Sequence, residues 1–206
     1  MIKGDIAVNL KTIFSALTVV VALSVAGCSQ PPVPKDNYYR LQVATPQAAP
    51  APIFKGVIEV SRFVADGLTA SRPIAYSKAD SPHQLNAYHY HFWTEPPVVM
   101  LRDQLVDFLR AANAADLIVT PEIRSTVDYV LTAKIKRLEK IAGSSSSAVV
   151  ELELGLQDNH KDRVVHLKTY RVETTAKSSS VADAVVALNK ALGSAYTLFV
   201  EDLKKL

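Results

Sequence analysis

The sequence predicts an α+β domain in which two amphipathic helices pack on one face of a largely antiparallel sheet, in the order strands, helix, strands, helix. Three observations carry this. Segments with two-residue apolar alternation fall into two blocks, 37–94 and 128–175. Each block is followed by one stretch with apolar residues at helical spacing. The links within each block are short and rich in turn formers. A chain of 206 residues suits one cored domain, expected over 37–206.

The head of the chain reads as an export signal over 1–27. Lys3 and Lys11 supply positive charge, and Ile13 to Ala26 is an apolar run too short for a comfortable membrane span of about 20 residues. The chain's one cysteine, Cys28, closes that run. A single cysteine forms no internal disulfide, and without a second Cys or a nearby His it makes a poor metal site. Residues 28–36 then form a tether, with three prolines in "SQPPVPKD" and no periodic apolar pattern.

In the first block, "NYYRLQV" reads as a strand with Tyr39, Leu41 and Val43 on one face, followed by a Pro/Ala loop over 44–52. "GVIEVSRFVA" (56–65) reads as an inner strand buried through Ile58, Val60 and Arg62. "RPIAYS" (72–77) and "QLNAYHYHFWT" (84–94) form a meander, turning at Asp80, Ser81 and Pro82. The first helix follows, with Thr94 as N-cap, Pro96 and Pro97 in the first turn, and Val98, Leu101, Leu105, Phe108, Leu109 and Ala112 on its apolar face.

The second block opens with "VDYVLTAKIKRLEKI" and continues after "GSSSS" with a strand carrying Val150, Leu152, Leu154 and Leu156 on one face. A two-residue turn at Gly143 and Ser144 sets Ile135 opposite Leu152 and Ala133 opposite Leu154. The same register sets Lys136 against Glu151 and Lys134 against Glu153, so apolar and charge patterns agree on one pairing. "RVVHLKTYRVETT" (163–175) adds a third strand. Ser180 caps the closing helix, whose apolar stripe runs through Val181, Val185, Leu188, Leu192, Ala195, Phe199 and Leu203.

Few residues suggest chemistry. The 23 basic residues are interspersed with 20 acidic ones for a formal charge of +3, so no stripe tracks a phosphate backbone and nucleic acid is not an expected partner. Neither dinucleotide nor P-loop glycine fingerprint occurs, and no cofactor is expected. His89 and His91 stand two apart on a strand, but a zinc centre recruits three or four ligands, and His83, His160 and His166 lie on other segments, so no metal is expected. No serine of "GSSSS" sits in a G-x-S-x-G elbow, and no catalytic residue is assigned. Tyr88, Tyr90, Phe92 and Trp93 form the densest aromatic cluster, just ahead of Pro97. Most of it is expected in the core, with Tyr88, Tyr90, Trp93 and Pro97 as candidates for a partner interface.

Two resemblances sharpen this reading. Leu23 to Cys28, "LSVAGC", resembles the bacterial lipobox. That likeness implies cleavage between Gly27 and Cys28 and acylation of the Cys28 sulfur, leaving the mature chain bound to a bilayer by its acyl chains. Ser29 after the cysteine favours the outer membrane, facing the periplasm, under the enteric sorting rule. "YYRL" (38–41), "IEVSRF" (58–63), "RPIAY" (72–76), "AYHYHFWTEPPVVMLRDQL" (87–105) and "DYVLTAKIKRLE" (128–139) resemble the lipoprotein auxiliary components of ABC-type transport systems, the PqiC-like family. The resemblance implies a non-catalytic envelope component working with MCE-domain transporters, which move lipids or other hydrophobic molecules between the two membranes. It also implies an outer-membrane docking end, as a ring of identical subunits in some arrangements. The competing readings are an anchored periplasmic hydrolase and a structural envelope-assembly lipoprotein.

Overall fold

A computed structural model of the chain describes residues 33–123 and 125–206. The expected signal, the cleavage site at Gly27 and Cys28 lie outside the described residues, as does the tether up to Pro32. Asp36–Leu206 form one compact unit.

Nine strands among the described residues build one sheet: β1 (Asn37–Tyr39), β2 (Phe54–Val60), β3 (Val64–Ala65), β4 (Pro73–Lys78), β5 (Ser81–Trp93), β6 (Ala115–Val119), β7 (Tyr129–Ala142), β8 (Ser147–Asp158) and β9 (Arg163–Thr175). Two helices, α1 (Pro97–Ala111) and α2 (Val181–Leu203), complete the order strands, helix, strands, helix. A 3-10 turn at Gly67–Ala70 separates β3 from β4.

The sheet is mixed rather than largely antiparallel. Only β4/β5, β7/β8 and β8/β9 pair antiparallel, whereas β1/β5, β2/β6, β2/β7, β3/β7 and β4/β7 are parallel. The cause lies in the long strand β7. One of its edges takes β8, and along the other β2, β3 and β4 follow one another like a single interrupted strand, at Ile58↔Tyr129, Val64↔Lys134 and Ala75↔Glu139. The intervening chain, with β5, α1 and β6, supplies the long crossover that parallel neighbours require.

Two strands are shorter than the alternation suggests. The expected strand over 37–43 leaves the sheet after Tyr39, because side chains of the two helices take its next amides: Gln42 N donates to Asn189 Oδ1 at 2.6 Å and Val43 N to Gln104 Oε1 at 2.7 Å. The expected strand over 56–65 breaks after Val60, which lets Phe63 into the core and leaves Arg62 outside.

The β7/β8 hairpin pairs Ala133 with Leu154, Lys134 with Glu153 and Ile135 with Leu152, as the patterning requires. Its turn differs. Next to the turn Ile141 faces Ser147, where a two-residue turn would set it against Ser146, and a bulge at Lys136 absorbs this one-residue offset, so that Arg137 and not Lys136 faces Glu151. Side-chain burial explains the bulge. Leu131, Ala133 and Ile135 point to the core, and unbroken alternation would turn Arg137 inward and Leu138 outward; the extra residue restores Leu138 to the core at 1% exposure.

The helices meet through Tyr196, whose hydroxyl donates to the Leu101 carbonyl at 2.7 Å and whose ring lies edge-on to Phe108. Their buried faces join the inward residues of β2, β7 and β8 in one continuous core. Ser180 caps α2 through Oγ, which accepts Asp183 N at 3.0 Å, as expected. At α1 the N-cap is Pro96 rather than Thr94, and Pro97 takes the first helical position, where a missing N–H costs nothing.

Candidate functional site

The aromatic end of β5 is divided between the two sides of the sheet, but not by simple alternation. The pairing with β4 shifts register between Ala87 and Phe92, and this irregularity brings Tyr88 and His91, three apart in sequence, into edge-on contact. His91 Nδ1 lies 2.9 Å from the Tyr39 hydroxyl, and the Tyr88 ring packs tilted against Tyr76 at 4.4 Å between ring centroids. His89, by contrast, is exposed beside Tyr90, so the two histidines do not share a site.

Lys140 closes this cluster from β7. It is 4% exposed, and its ammonium donates to the Tyr88 hydroxyl at 3.1 Å and to the Ser179 carbonyl just ahead of α2. Burial, together with the nearby Lys140 charge, holds the His91 imidazole below its usual range. These bonds tie β1, β5, β7 and the approach to α2 to one another; the polar atoms are engaged in holding elements together.

Of the four interface candidates, Trp93 and Pro97 are buried, Trp93 at 1% exposure. Trp93 is locked from both sides, its N–H donating to the Arg72 carbonyl at 2.7 Å and its carbonyl accepting Arg72 Nε at 3.1 Å. Tyr88 is half-buried and Tyr90 is exposed. What the outer surface offers is a different group: Tyr38 packs on Phe92 at 5.8 Å, and the Arg72 guanidinium lies 5.8 Å over the Tyr38 ring. Sequence alternation could have indicated Phe92, but Tyr38 and Arg72 join it only through strand pairing.

A second feature lies across the helices. The segment after β1 crosses the α1/α2 pair, with Val43 so close to Gly193 that a Cβ there would stand 3.1 Å from its methyl group. Beside this crossing an open groove of about 740 Å³ is lined by Pro46, Phe108, Val172, Gly193, Thr197 and Leu198. Its size is within the range of small-molecule sites, and its lining is mainly apolar. No local pattern in the sequence signals it, since the groove exists only because an irregular segment bridges two helices.

The remaining titratable clusters are structural ties. Asp202, at the end of α2, receives Lys168 Nζ at 2.6 Å, Lys205 Nζ at 2.8 Å and the Tyr170 hydroxyl at 2.9 Å, and these donors hold its carboxyl well below the usual range. Burial, then the Asp202 carboxylate, pushes the Tyr170 phenol well up. His166 completes the chain at 2.8 Å from Tyr170. No group of three or more His, Cys, Asp or Glu side chains among the described residues is placed to hold a metal ion. Nor is any described helix long and apolar enough to cross a membrane.

Comparison with solved structures places the fold. Protein XCC0632 from Xanthomonas campestris is similar at a TM-score of 0.70 and 24% identity, covering 80% of this chain and 92% of its own. An uncharacterised protein is similar at a TM-score of 0.64 and 14% identity, covering 82% and 99%. The comparison with curated proteins returned no match. The family model for the ABC-type transport auxiliary lipoprotein component matches residues 39–197, from the end of β1 to the last turns of α2. With the two-helix, mixed-sheet body lying almost wholly inside that match, the chain belongs to the family of ABC-type transport auxiliary lipoprotein components.

Proposed function

We propose that this protein is the outer-membrane docking component of an MCE-type ABC transport system that carries lipids or other hydrophobic molecules between the inner and outer membranes, held to its bilayer by acyl chains on Cys28. The observation that carries the reading is the family match over 39–197 in a chain whose head places its one cysteine in a lipobox. Membrane anchoring in the cell envelope follows from the lipoprotein family; Ser29 favours the outer membrane and a periplasm-facing body.

The role is docking rather than turnover. The clusters at Lys140 and Asp202, and Asp128 with the Val57 N–H and His160, each join separate strands or helices, and their hydrogen-bonding capacity is spent on that. The apolar groove at Phe108 and Leu198 is the surface best suited to receive the MCE-domain partner. Anchoring raises the local concentration of the body at the membrane, so weak contacts with that partner suffice. A ring of identical subunits belongs to the same proposal and is read by light scattering of the purified lipoprotein.

The test is cross-linking in intact envelopes followed by affinity purification. The MCE-domain protein should be recovered with the wild-type chain and lost with Leu198→Glu, while Cys28→Ala should accumulate as a precursor that takes up no labelled palmitate. Recovery of an acylated wild-type chain with no MCE-domain protein, or turnover of a hydrolase substrate by it, would overturn the docking role.

A further inference from the structure

We infer that the exposed aromatic edge formed by Tyr38, Phe92, Tyr90 and Arg72 is a bilayer-docking surface, which lays the β1 end of the sheet against the lipid headgroups. This rests on the anchoring of Cys28 proposed above and adds an orientation to it.

The first argument is the composition of the edge. Tyr38 is 57% exposed and Tyr90 40% exposed, the two most exposed large aromatic side chains among the described residues. Each couples an apolar ring to a hydroxyl, the combination that settles at the boundary between headgroups and acyl chains. Arg72 is fixed beside Tyr38 by its bond to the Trp93 carbonyl, with its guanidinium carbon 5.8 Å from the centre of the Tyr38 ring. A guanidinium in that place can meet headgroup phosphates while the rings sit deeper. The edge is also pre-ordered: Trp93 is in the core directly after Phe92, and β1 is paired with β5 at Tyr38↔Phe92, so little freedom is lost on contact.

The second argument is reach. β1 begins at Asn37, nine residues after Cys28. Nine extended residues span at most about 30 Å, and a relaxed tether spans less. Tyr38 lies on the first strand after that tether, ten residues from Cys28, so its distance from the acylated sulfur is at most about 35 Å. A tether this short gives an effective concentration in the millimolar range, enough for a patch with weak intrinsic affinity to stay engaged. The geometry of the sheet then sets what faces away. β1, β5, β4, β7, β8 and β9 follow one another across the sheet, and five strand spacings place β9 roughly 24 Å from β1.

The test uses the full, acylated lipoprotein in vesicles of phosphatidylethanolamine and phosphatidylglycerol. Cys28 is the chain's one cysteine, so acylation leaves no native thiol to label. An environment-sensitive fluorophore is attached at His89→Cys, beside Tyr90, or at Ser194→Cys on the exposed side of α2. With nitroxide lipids in the vesicles, the label at 89 should be quenched several-fold more than the label at 194. Adding Tyr38→Ser to the 89-labelled chain should bring it down to the level at 194. Equal quenching at both positions in chains that float with the vesicles overturns the docking edge and leaves the anchor intact. Failure to float overturns the anchor, and the docking edge falls with it. Shielding of the label at 89 that grows with protein density but not with nitroxide lipid assigns the edge to a second copy of the chain and likewise overturns the inference.

Discussion

Asp128 fills the space over Gly56 that a side chain would need: a Cβ built on Gly56 would overlap its carboxylate. Gly56 has φ +98°, a left-handed backbone that a residue with a Cβ resists, and its N–H donates to Asp116 Oδ2 at 2.7 Å. Asp128 in turn accepts the Val57 N–H at 2.7 Å and meets His160 Nε2 at 2.7 Å. One carboxylate thus pins the start of β2 to the approach to β7 and to the β8/β9 turn.

Gly56→Ala therefore combines backbone strain with a clash against a hydrogen-bonded group. The expected loss of stability is about 2–3 kcal/mol, read from the shift in the urea midpoint at constant slope. A shift below about 0.5 kcal/mol would show that the Asp128 pin yields without cost.

Stability should fall with acid in two stages. His91 and His166 are held below the usual imidazole range, chiefly by burial, so the folded state binds fewer protons than the unfolded chain; their contribution is complete above about pH 6.5 and is lost as pH falls through the folded values. Asp128, through the His160 bond, and Asp202, through the Lys168 bond, are depressed carboxylates, so theirs is complete above about pH 4 and lost as pH falls further. Asp202→Asn should lower the melting temperature at neutral pH and flatten the decline below pH 4. Asp107→Asn, on a carboxylate 73% exposed, should leave the profile unchanged, and equal profiles for the two variants would refute the assignment.

Tyr196→Phe removes one buried hydrogen bond between the helices and leaves the ring in place against Phe108. The expected cost is about 1 kcal/mol, since the Leu101 carbonyl remains within its helix. Denaturant titration would reveal it, and a neutral substitution would mean that ring packing alone joins the two helices.

Much of this was legible in the residues, and the gaps have physical causes. The register of Lys134 with Glu153 and Ile135 with Leu152 could be read because two independent patterns, apolar and charged, select the same pairing. The Lys136 bulge is less visible, because a one-residue offset at the turn and one extra strand residue give the same pairing below them as a tight turn does. Parallel pairing is hidden for a different reason: strand alternation reports which face is buried and says nothing of the neighbour's direction. The groove beside Leu198 and the Tyr38/Arg72 contact depend on segments far apart in sequence, which no local pattern encodes.

Folding and surface roles can be separated at the aromatic end of β5, because neighbouring residues there have opposite environments. Trp93 is fully enclosed and bonded through both backbone groups to Arg72, so Trp93→Ala leaves a cavity at the junction of β5 with the core. It should destabilise the body by about 3–5 kcal/mol, enough to deplete the folded chain in a domain of ordinary stability. Tyr90, three residues earlier, is 40% exposed, and Tyr90→Ala should shift the urea midpoint by no more than about 0.5 kcal/mol. Circular dichroism melting of the two variants, with partner recovery measured below both transitions, distinguishes the roles. Loss of the proposed MCE-domain partner in Trp93→Ala while the protein melts like wild type would return Trp93 to the surface, against its burial here. A large loss of stability in Tyr90→Ala would make that ring part of the core.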